Sequence, residues 1–143
     1  MPSLWGALYP AGLMQDTTVR VHRVAIADDS PAFLAAAASH ISGLPGFALA
    51  GTASSAGQAL ALVQSAMPDV LLLDLGQTPN RALEIVRRVK AAPGAPAVVA
   101  LALFHTPEAV AAAKRAGADA LVGKESFVAG LRQALASLFP ARA

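Results

Sequence analysis

The sequence DVLLLDL, at residues 69–75, decides the fold that we predict for this chain. Residues 70–73 are all apolar and show no alternation with polar residues. Such a strand is buried on both faces, which is typical of a central strand in a parallel sheet. Pro68 precedes the run and Asp74 follows it. We therefore expect helices to cover both faces of the sheet to which this strand belongs.

The same pattern repeats on either side of this strand. Other short apolar runs occupy residues 21–27, 47–52, 97–103 and 119–122, and a longer segment with helical signals follows each of them. Helices are predicted at about 31–42, 55–67, 80–91, 107–116 and 126–139. Five strand–helix repeats predict an α/β fold with right-handed crossovers and a five-stranded parallel sheet. The predicted N-caps are Ser30, Ser54 or Ser55, Thr106 and Ser126.

Composition excludes several classes of protein. The 143 residues suit one domain, and 35 of them are alanine, which accounts for much of the 55% hydrophobic content. The longest apolar run, residues 97–104, has eight residues, whereas a membrane helix needs about 20. With no cysteine there is no disulfide framework and no thiolate site. No secretory signal is recognisable, so we predict a cytoplasmic protein that makes no membrane contact.

The charge balance and the first residues of the chain point to no particular function. Eleven basic residues stand against nine acidic ones and are scattered, so we predict no direct contact with nucleic acid. Residues 1–20 contain the single tryptophan, Trp5, and show no sustained periodicity. We predict a flexible N-terminal tail at 1–20 and a folded domain at 21–140.

Charged residues follow three of the predicted strands. Asp28 and Asp29 come after the first strand, Asp74 ends the third, and Lys124 follows the fifth. Ligands of parallel sheets bind beyond the carboxyl ends of the strands, so these side chains converge if the first and third strands are neighbours. Clustered carboxylates repel one another, and Mg²⁺ relieves that repulsion. Each residue alone could be a helix cap or a solvated charge, but the four together favour a binding site.

Three segments carry a resemblance to a known family. RVAIADDS at 23–30, DVLLLDL at 69–75 and RAGADALVGKE at 115–125 resemble the signature segments of response-regulator receiver domains. The spacings agree, with 74 − 29 = 45 residues from Asp29 to Asp74 and 124 − 74 = 50 from Asp74 to Lys124. The resemblance covers about residues 21–139. It implies a flavodoxin-like, doubly wound (βα)5 fold with strand order 2-1-3-4-5.

The resemblance also implies a role in a bacterial two-component phosphorelay. Asp74 would accept a phosphoryl group from a sensor histidine kinase, a phosphotransfer protein or a small phosphodonor. Mg²⁺ would be held by Asp29, Asp74 and the backbone carbonyl of Gly76, with Asp28 acting through bound water. Lys124 would contact the phosphoryl group. No turnover enzyme is expected, and at most self-phosphorylation and self-dephosphorylation at Asp74.

The positions that relay the signal in the family are atypical here. Ala102 stands where receivers usually have Thr or Ser, so it offers no hydroxyl. The next residue, normally small, is Leu103, which we expect to narrow the access to Asp74. Leu121 replaces an aromatic residue, and the loop at 75–79 departs from the family pattern as well. Thr106 is the nearest hydroxyl that could substitute.

Two functional hypotheses follow from this combination of typical acids and lysine with atypical switch positions. The first is a stand-alone receiver, without an output domain of its own, that is phosphorylated on Asp74 and signals through a downstream protein. The second is a pseudo-receiver that recruits a partner or forms a homodimer through the face near residues 106–135, independently of phosphate.

Overall fold

The computed structural model describes residues 20–77 and 79–140, so nearly all of the tail predicted at 1–20 lies outside the described residues. The strands are β1 (His22–Ala27), β2 (Phe47–Ala53), β3 (Val70–Asp74), β4 (Ala97–Ala102) and β5 (Ala120–Gly123). The helices are α1 (Pro31–Ser42), α2 (Ala59–Ala66), α3 (Pro79–Ala91), α4 (Pro107–Ala116) and α5 (Phe127–Leu138). Short 3₁₀ turns, Ala56–Gln58 and Lys124–Ser126, precede α2 and α5.

The five strands form one sheet in the order β2-β1-β3-β4-β5, which confirms the predicted topology. Every pair is parallel, and β1 lies between β2 and β3. Ala27 at the end of β1 is opposite Leu73, the penultimate residue of β3. Ala102 at the end of β4 is likewise opposite Gly123 at the end of β5. The residues that follow these strands therefore emerge at one edge of the sheet.

The core consists of two apolar layers, one on each face of the sheet. All five residues of β3 are buried, as predicted for a central strand. Leu71 and Leu73 pack with buried residues of α2, α3 and α4 on one face. Val70 and Leu72 pack with buried residues of α1 and α5 on the other face. This distribution of helices makes the fold doubly wound.

The helix caps are confirmed for two helices and corrected for the other two. The Ser30 hydroxyl accepts a hydrogen bond from the Phe33 amide at 3.3 Å, and the Thr106 hydroxyl caps α4 in the same way. Ser126 occupies the N-cap position of α5, and Ser55 occupies that of the 3₁₀ turn before α2, but neither side chain makes the predicted capping hydrogen bond. The alternative cap, Ser54, donates from its hydroxyl to Oε1 of Gln58 instead. A 3₁₀ turn lies at the start of both of these helices and takes the place of a side-chain cap.

Within the described residues, no helix has both the length and the apolar character that crossing a bilayer requires.

Candidate functional site

The edge formed by the carboxyl ends of the strands carries a cluster of acids. Asp28 and Asp29 directly follow β1, and Asp74 is the last residue of β3. One carboxylate oxygen from each lies within 4.8 Å of the others. Lys124 is the first residue after β5. The structure thus brings together the four charged residues singled out from the sequence, because β1 and β3 are neighbours in the sheet.

Lys124 is the counterion of two of these acids. Its Nζ lies 2.7 Å from Oδ2 of Asp28 and 3.2 Å from Oδ1 of Asp74. The Asp28 side chain is fully buried and that of Asp74 is 9% exposed. The same Nζ lies 4.4 Å from the centre of the Phe33 ring, within reach of a cation–π contact. These contacts hold the ammonium at the sheet edge with little access to water.

The pKa of Lys124 shows which influence dominates there. Burial alone would lower the pKa of the ammonium, but hydrogen bonding to Asp28 and the charges of Asp74 and Asp28 outweigh burial. The result is a pKa above the ordinary value of 10.5. Lys124 therefore stays charged at neutral pH and can pair with an anion that enters the site.

The carboxylates are not fully balanced by this lysine. Asp29 is exposed, and hydrogen bonding to Asp74 together with the charge of Asp74 raises the pKa of its carboxyl above 3.8. Three carboxylates share one ammonium in this cluster, so the site favours a further cation. Oxygen donors of this kind suit Mg²⁺, and the residues present fit the predicted metal.

Backbone amides fix the orientation of two of the acids. The Ser30 amide donates to Oδ1 of Asp28 at 2.8 Å. The Gly76 amide donates to Oδ1 of Asp74 at 3.1 Å, and Gly76 has a φ of +66°, a conformation that favours glycine. The Gly76 backbone thus lies next to the Asp74 carboxylate. Its carbonyl as a metal ligand stays a prediction.

A cavity of about 520 Å³ opens beside the acids. Asp29 and Asp74 are among the residues that line it, and so are Ser55, Gln77 and Arg81. None of these last three residues was predicted to belong to the site, and Ser55 was predicted only as a helix cap. A usable signal existed for Arg81, because the first turn of a helix disfavours a cation and Arg81 is the third residue of α3.

The predicted switch positions lie around the site but outside this cavity. Ala102 is half-buried, and its methyl group packs against the core layer that contains Leu73. Leu103 is 68% exposed and does not line the cavity. Leu121 is half-buried in β5.

Two contacts lie near these positions, namely the helix cap predicted at Thr106 and an unpredicted contact of Glu125. The Thr106 hydroxyl accepts from the Ala109 amide at 3.1 Å, so it serves as a helix cap. Oε1 of Glu125 accepts a hydrogen bond from the His105 amide at 3.2 Å. Glu125 therefore ties the loop after β5 to the loop after β4.

A doubly wound parallel sheet, with acids after β1 and β3 and a lysine after β5, defines the class of receiver domains. The sequence matches the family "Response regulator receiver domain" over residues 24–136, so the chain belongs to this family. Comparison with functionally curated proteins finds no significant match.

Solved structures of response regulators share this architecture. One is a LuxR-family two-component response regulator from Aurantimonas sp. SI85-9A1, with 27% identity and a TM-score of 0.74 over 82% of this chain and 84% of that one. Another is the signal receiver domain of NarL from Mycobacterium tuberculosis, with 24% identity and a TM-score of 0.75 over 86% and 99% of the two chains. A third is the receiver domain of RcsB from Salmonella enterica serovar Typhimurium in the presence of phosphomimetic BeF3⁻, with 20% identity and a TM-score of 0.71 over 83% and 88%.

Proposed function

We propose that this receiver accepts a phosphoryl group on Asp74 with the help of Mg²⁺, and that it then signals through a downstream protein. The donor would be a sensor histidine kinase, a phosphotransfer protein or a small phosphodonor. One observation carries the proposal: three carboxylates lie within 4.8 Å of one another, and Lys124 contacts two of them. Membership of the receiver family supports the same function.

The transfer needs a nucleophile and neutralising charge more than it needs proton chemistry. A carboxylate oxygen of Asp74 attacks phosphorus while the bond to the donor breaks, and the leaving group keeps the electron pair of that bond. Asp29, Asp74 and the Gly76 carbonyl would hold Mg²⁺, with Asp28 acting through water. When bound, this ion neutralises negative charge on the phosphoryl oxygens.

Lys124 supplies the second neutralising charge. Its Nζ touches Asp74 at 3.2 Å and Asp28 at 2.7 Å. The ammonium can therefore turn from the Asp74 carboxylate to a phosphoryl oxygen while Asp28 still holds it. An ammonium with this freedom is a suitable contact for the transferred group.

Intact-mass spectrometry tests the proposal directly. With Mg²⁺ and either acetyl phosphate or phosphoramidate, the mass should rise by one phosphoryl group, and removal of the ion by EDTA should prevent the increase. Asp74→Asn should abolish labelling, whereas Glu108→Gln, which removes an exposed acid of α4, should not. The proposal fails if neither donor gives an adduct and titration detects no Mg²⁺ binding.

A second candidate function is the phosphorylation-independent pseudo-receiver. Ala102 offers no hydroxyl at the end of β4, while Leu103 and Phe104 are 68% and 60% exposed. A further cavity, of about 350 Å³, is lined by residues that include His105 and Leu121, within the face predicted for a partner. This function requires that self-association or partner binding be the same for the wild type, the phosphorylated protein and Asp74→Asn. Light scattering after size-exclusion chromatography measures the self-association.

Several finer statements stay predictions within this proposal. They are the cytoplasmic location and the homodimer. The absence of nucleic-acid contact is also a prediction, since RcsB, at 19% identity, has been solved bound to promoter rprA. This chain covers 60% of that RcsB chain.

A further inference from the structure

A cationic side chain, that of Arg81, lines the cavity beside Asp74, and the proposed phosphoryl transfer does not use it. Arg81 lines this cavity together with Ser55 and Gln77, whereas Lys124 is not among its lining residues. Its volume of about 520 Å³ lies within the range of roughly 300 to 1,000 Å³ that is usual for small-ligand sites. The cavity can therefore hold the remainder of a phosphodonor as well as its phosphoryl group.

Nothing in the described part of the fold requires the charge of Arg81. Within residues 20–77 and 79–140, no carboxylate oxygen lies within 4.0 Å of its guanidinium, whereas Arg87 and Arg88 of the same helix both contact Glu84. Arg81 also lies in the first turn of α3, where the helix dipole disfavours a cation. The charge is thus available to a ligand.

Gly57 makes room for this side chain. A Cβ added at Gly57 would lie 2.9 Å from Nη2 of Arg81, which is too close for an undisturbed contact. Gly57 lines the same cavity. The guanidinium of Arg81 therefore lies close to the backbone of Gly57, and a side chain at position 57 would displace it.

We infer that Arg81 forms a leaving-group subsite, which binds the carboxylate that a small acyl phosphate releases when its phosphoryl group is transferred to Asp74. This inference rests on the proposed function. The Asp74–phosphorus bond forms, the bond from phosphorus to the acyl oxygen breaks, and its electron pair leaves on the carboxylate. A planar guanidinium matches a carboxylate with two parallel hydrogen bonds. Phosphoramidate instead releases ammonia, which takes up a proton and leaves no anion for Arg81.

The test compares labelling rates for two donors and two variants at one ionic strength. Arg81→Gln should lower the rate constant with acetyl phosphate about fivefold, as expected for the loss of a solvent-accessible ion pair, and should change the rate with phosphoramidate by less than about twofold. Arg88→Gln removes an equal charge from the same helix without touching the cavity. This control should leave both rates unchanged. Gly57→Ala, whose methyl group displaces the guanidinium, should shift the ratio of the two rates in the same direction as Arg81→Gln.

The outcomes separate this subsite from the proposed function. An equal loss with both donors would show that Arg81 only attracts anions in general, and it would overturn the subsite. An unchanged rate with acetyl phosphate would overturn it as well. In both cases labelling of the wild type would still support Asp74 as the acceptor. If neither donor labels the wild type, the subsite is overturned, and if titration also detects no Mg²⁺ binding, the proposed function is overturned with it. The phosphoramidate rate of each variant also reports whether that variant is folded.

Discussion

Asp29 is the exposed member of the acidic cluster, and its charge has opposite consequences with and without a metal. Hydrogen bonding to Asp74 and the charge of Asp74 raise its pKa in the folded state above 3.8. The folded protein therefore holds this proton more tightly than the unfolded chain does. Without metal, the folded state loses stability as the pH rises from about 3.8 through the raised pKa.

Asp29→Asn removes both this cost and a predicted metal ligand. At pH 7 in EDTA the variant should melt at a higher temperature than the wild type, and its melting temperature should no longer rise with Mg²⁺. Circular dichroism melts with and without the ion provide the measurement. Glu108→Gln is the control and should behave like the wild type in both conditions. A lower melting temperature of Asp29→Asn in EDTA would contradict the repulsion argued here.

Leu103 allows a second prediction, which concerns access to Asp74. Its sequence position predicts that it narrows the access to Asp74, but Leu103 is not among the residues that line the cavity beside Asp74. We therefore expect Leu103→Ala to change the rate of labelling by phosphoramidate by less than about twofold, which corresponds to about 0.4 kcal/mol in the barrier. A clear acceleration would show instead that Leu103 restricts this access. Phe104→Ala, which shortens the neighbouring exposed side chain, is the matched control and should leave the labelling rate unchanged.

At the scale of elements, α4 gives a prediction that separates structural from chemical roles. The Thr106 hydroxyl caps this helix, so Thr106→Ala should lower the free energy of unfolding by about 1 kcal/mol, measured by urea denaturation. Thr106→Ser keeps the cap and should lose much less. Labelling of Asp74 should be unchanged in both variants. A lower labelling rate in Thr106→Ala, without a loss of stability, would mean that the hydroxyl acts at the site.

The elements themselves were largely predictable from the sequence. Proline and glycine mark most of the helix ends, and α1 begins and ends where Ser30–Pro31 and Gly43 place its boundaries. The unbroken apolar run of β3 identified the centre of the sheet. The 3₁₀ turns before α2 and α5 were missed, because a serine that precedes a helical segment looks the same whether or not its side chain makes the cap.

The function proposed for the whole molecule requires that phosphorylation of Asp74 alter a distant face. Ala102 ends β4 opposite Gly123, which directly precedes Lys124, so this position lies between the acids and the loop at residues 103–106. The methyl side chain of Ala102 cannot form a hydrogen bond that pulls the loop towards a phosphoryl group. Glu125 already holds the His105 amide at the other side of the same loop.

Ala102→Thr should therefore introduce a response that we expect the wild type to lack. On phosphorylation, amide hydrogen exchange at residues 103–106 should slow about fivefold in the variant, which corresponds to one hydrogen bond of about 1 kcal/mol. In the wild type it should change by less than about twofold. Mass spectrometry of exchanged peptides measures both. Ala97→Thr, at the opposite end of β4, is the control, and slowing of the loop in the wild type would contradict the prediction.

The site was predictable where it depends on topology and not where it depends on side-chain conformation. Asp28, Asp74 and Lys124 could be brought together from the sequence because parallel strands end at one edge. The contact of Lys124 with Phe33, and the position of Arg81 against Gly57, depend on how long side chains turn in three dimensions. No spacing rule encodes such a turn, so these residues became visible only in the structure.

The order of the strands also has a consequence for the synthesis of the chain. β1 and β3 can pair, and can bring their acids together, as soon as residue 74 has left the ribosome. Lys124, the counterion of Asp28 and Asp74, leaves the ribosome 124 − 74 = 50 residues later. A nascent chain therefore carries the repulsion of this cluster before it possesses the charge that balances it. Translation must reach β5 before the site is electrostatically complete, which favours late closure of this edge during folding in the cell.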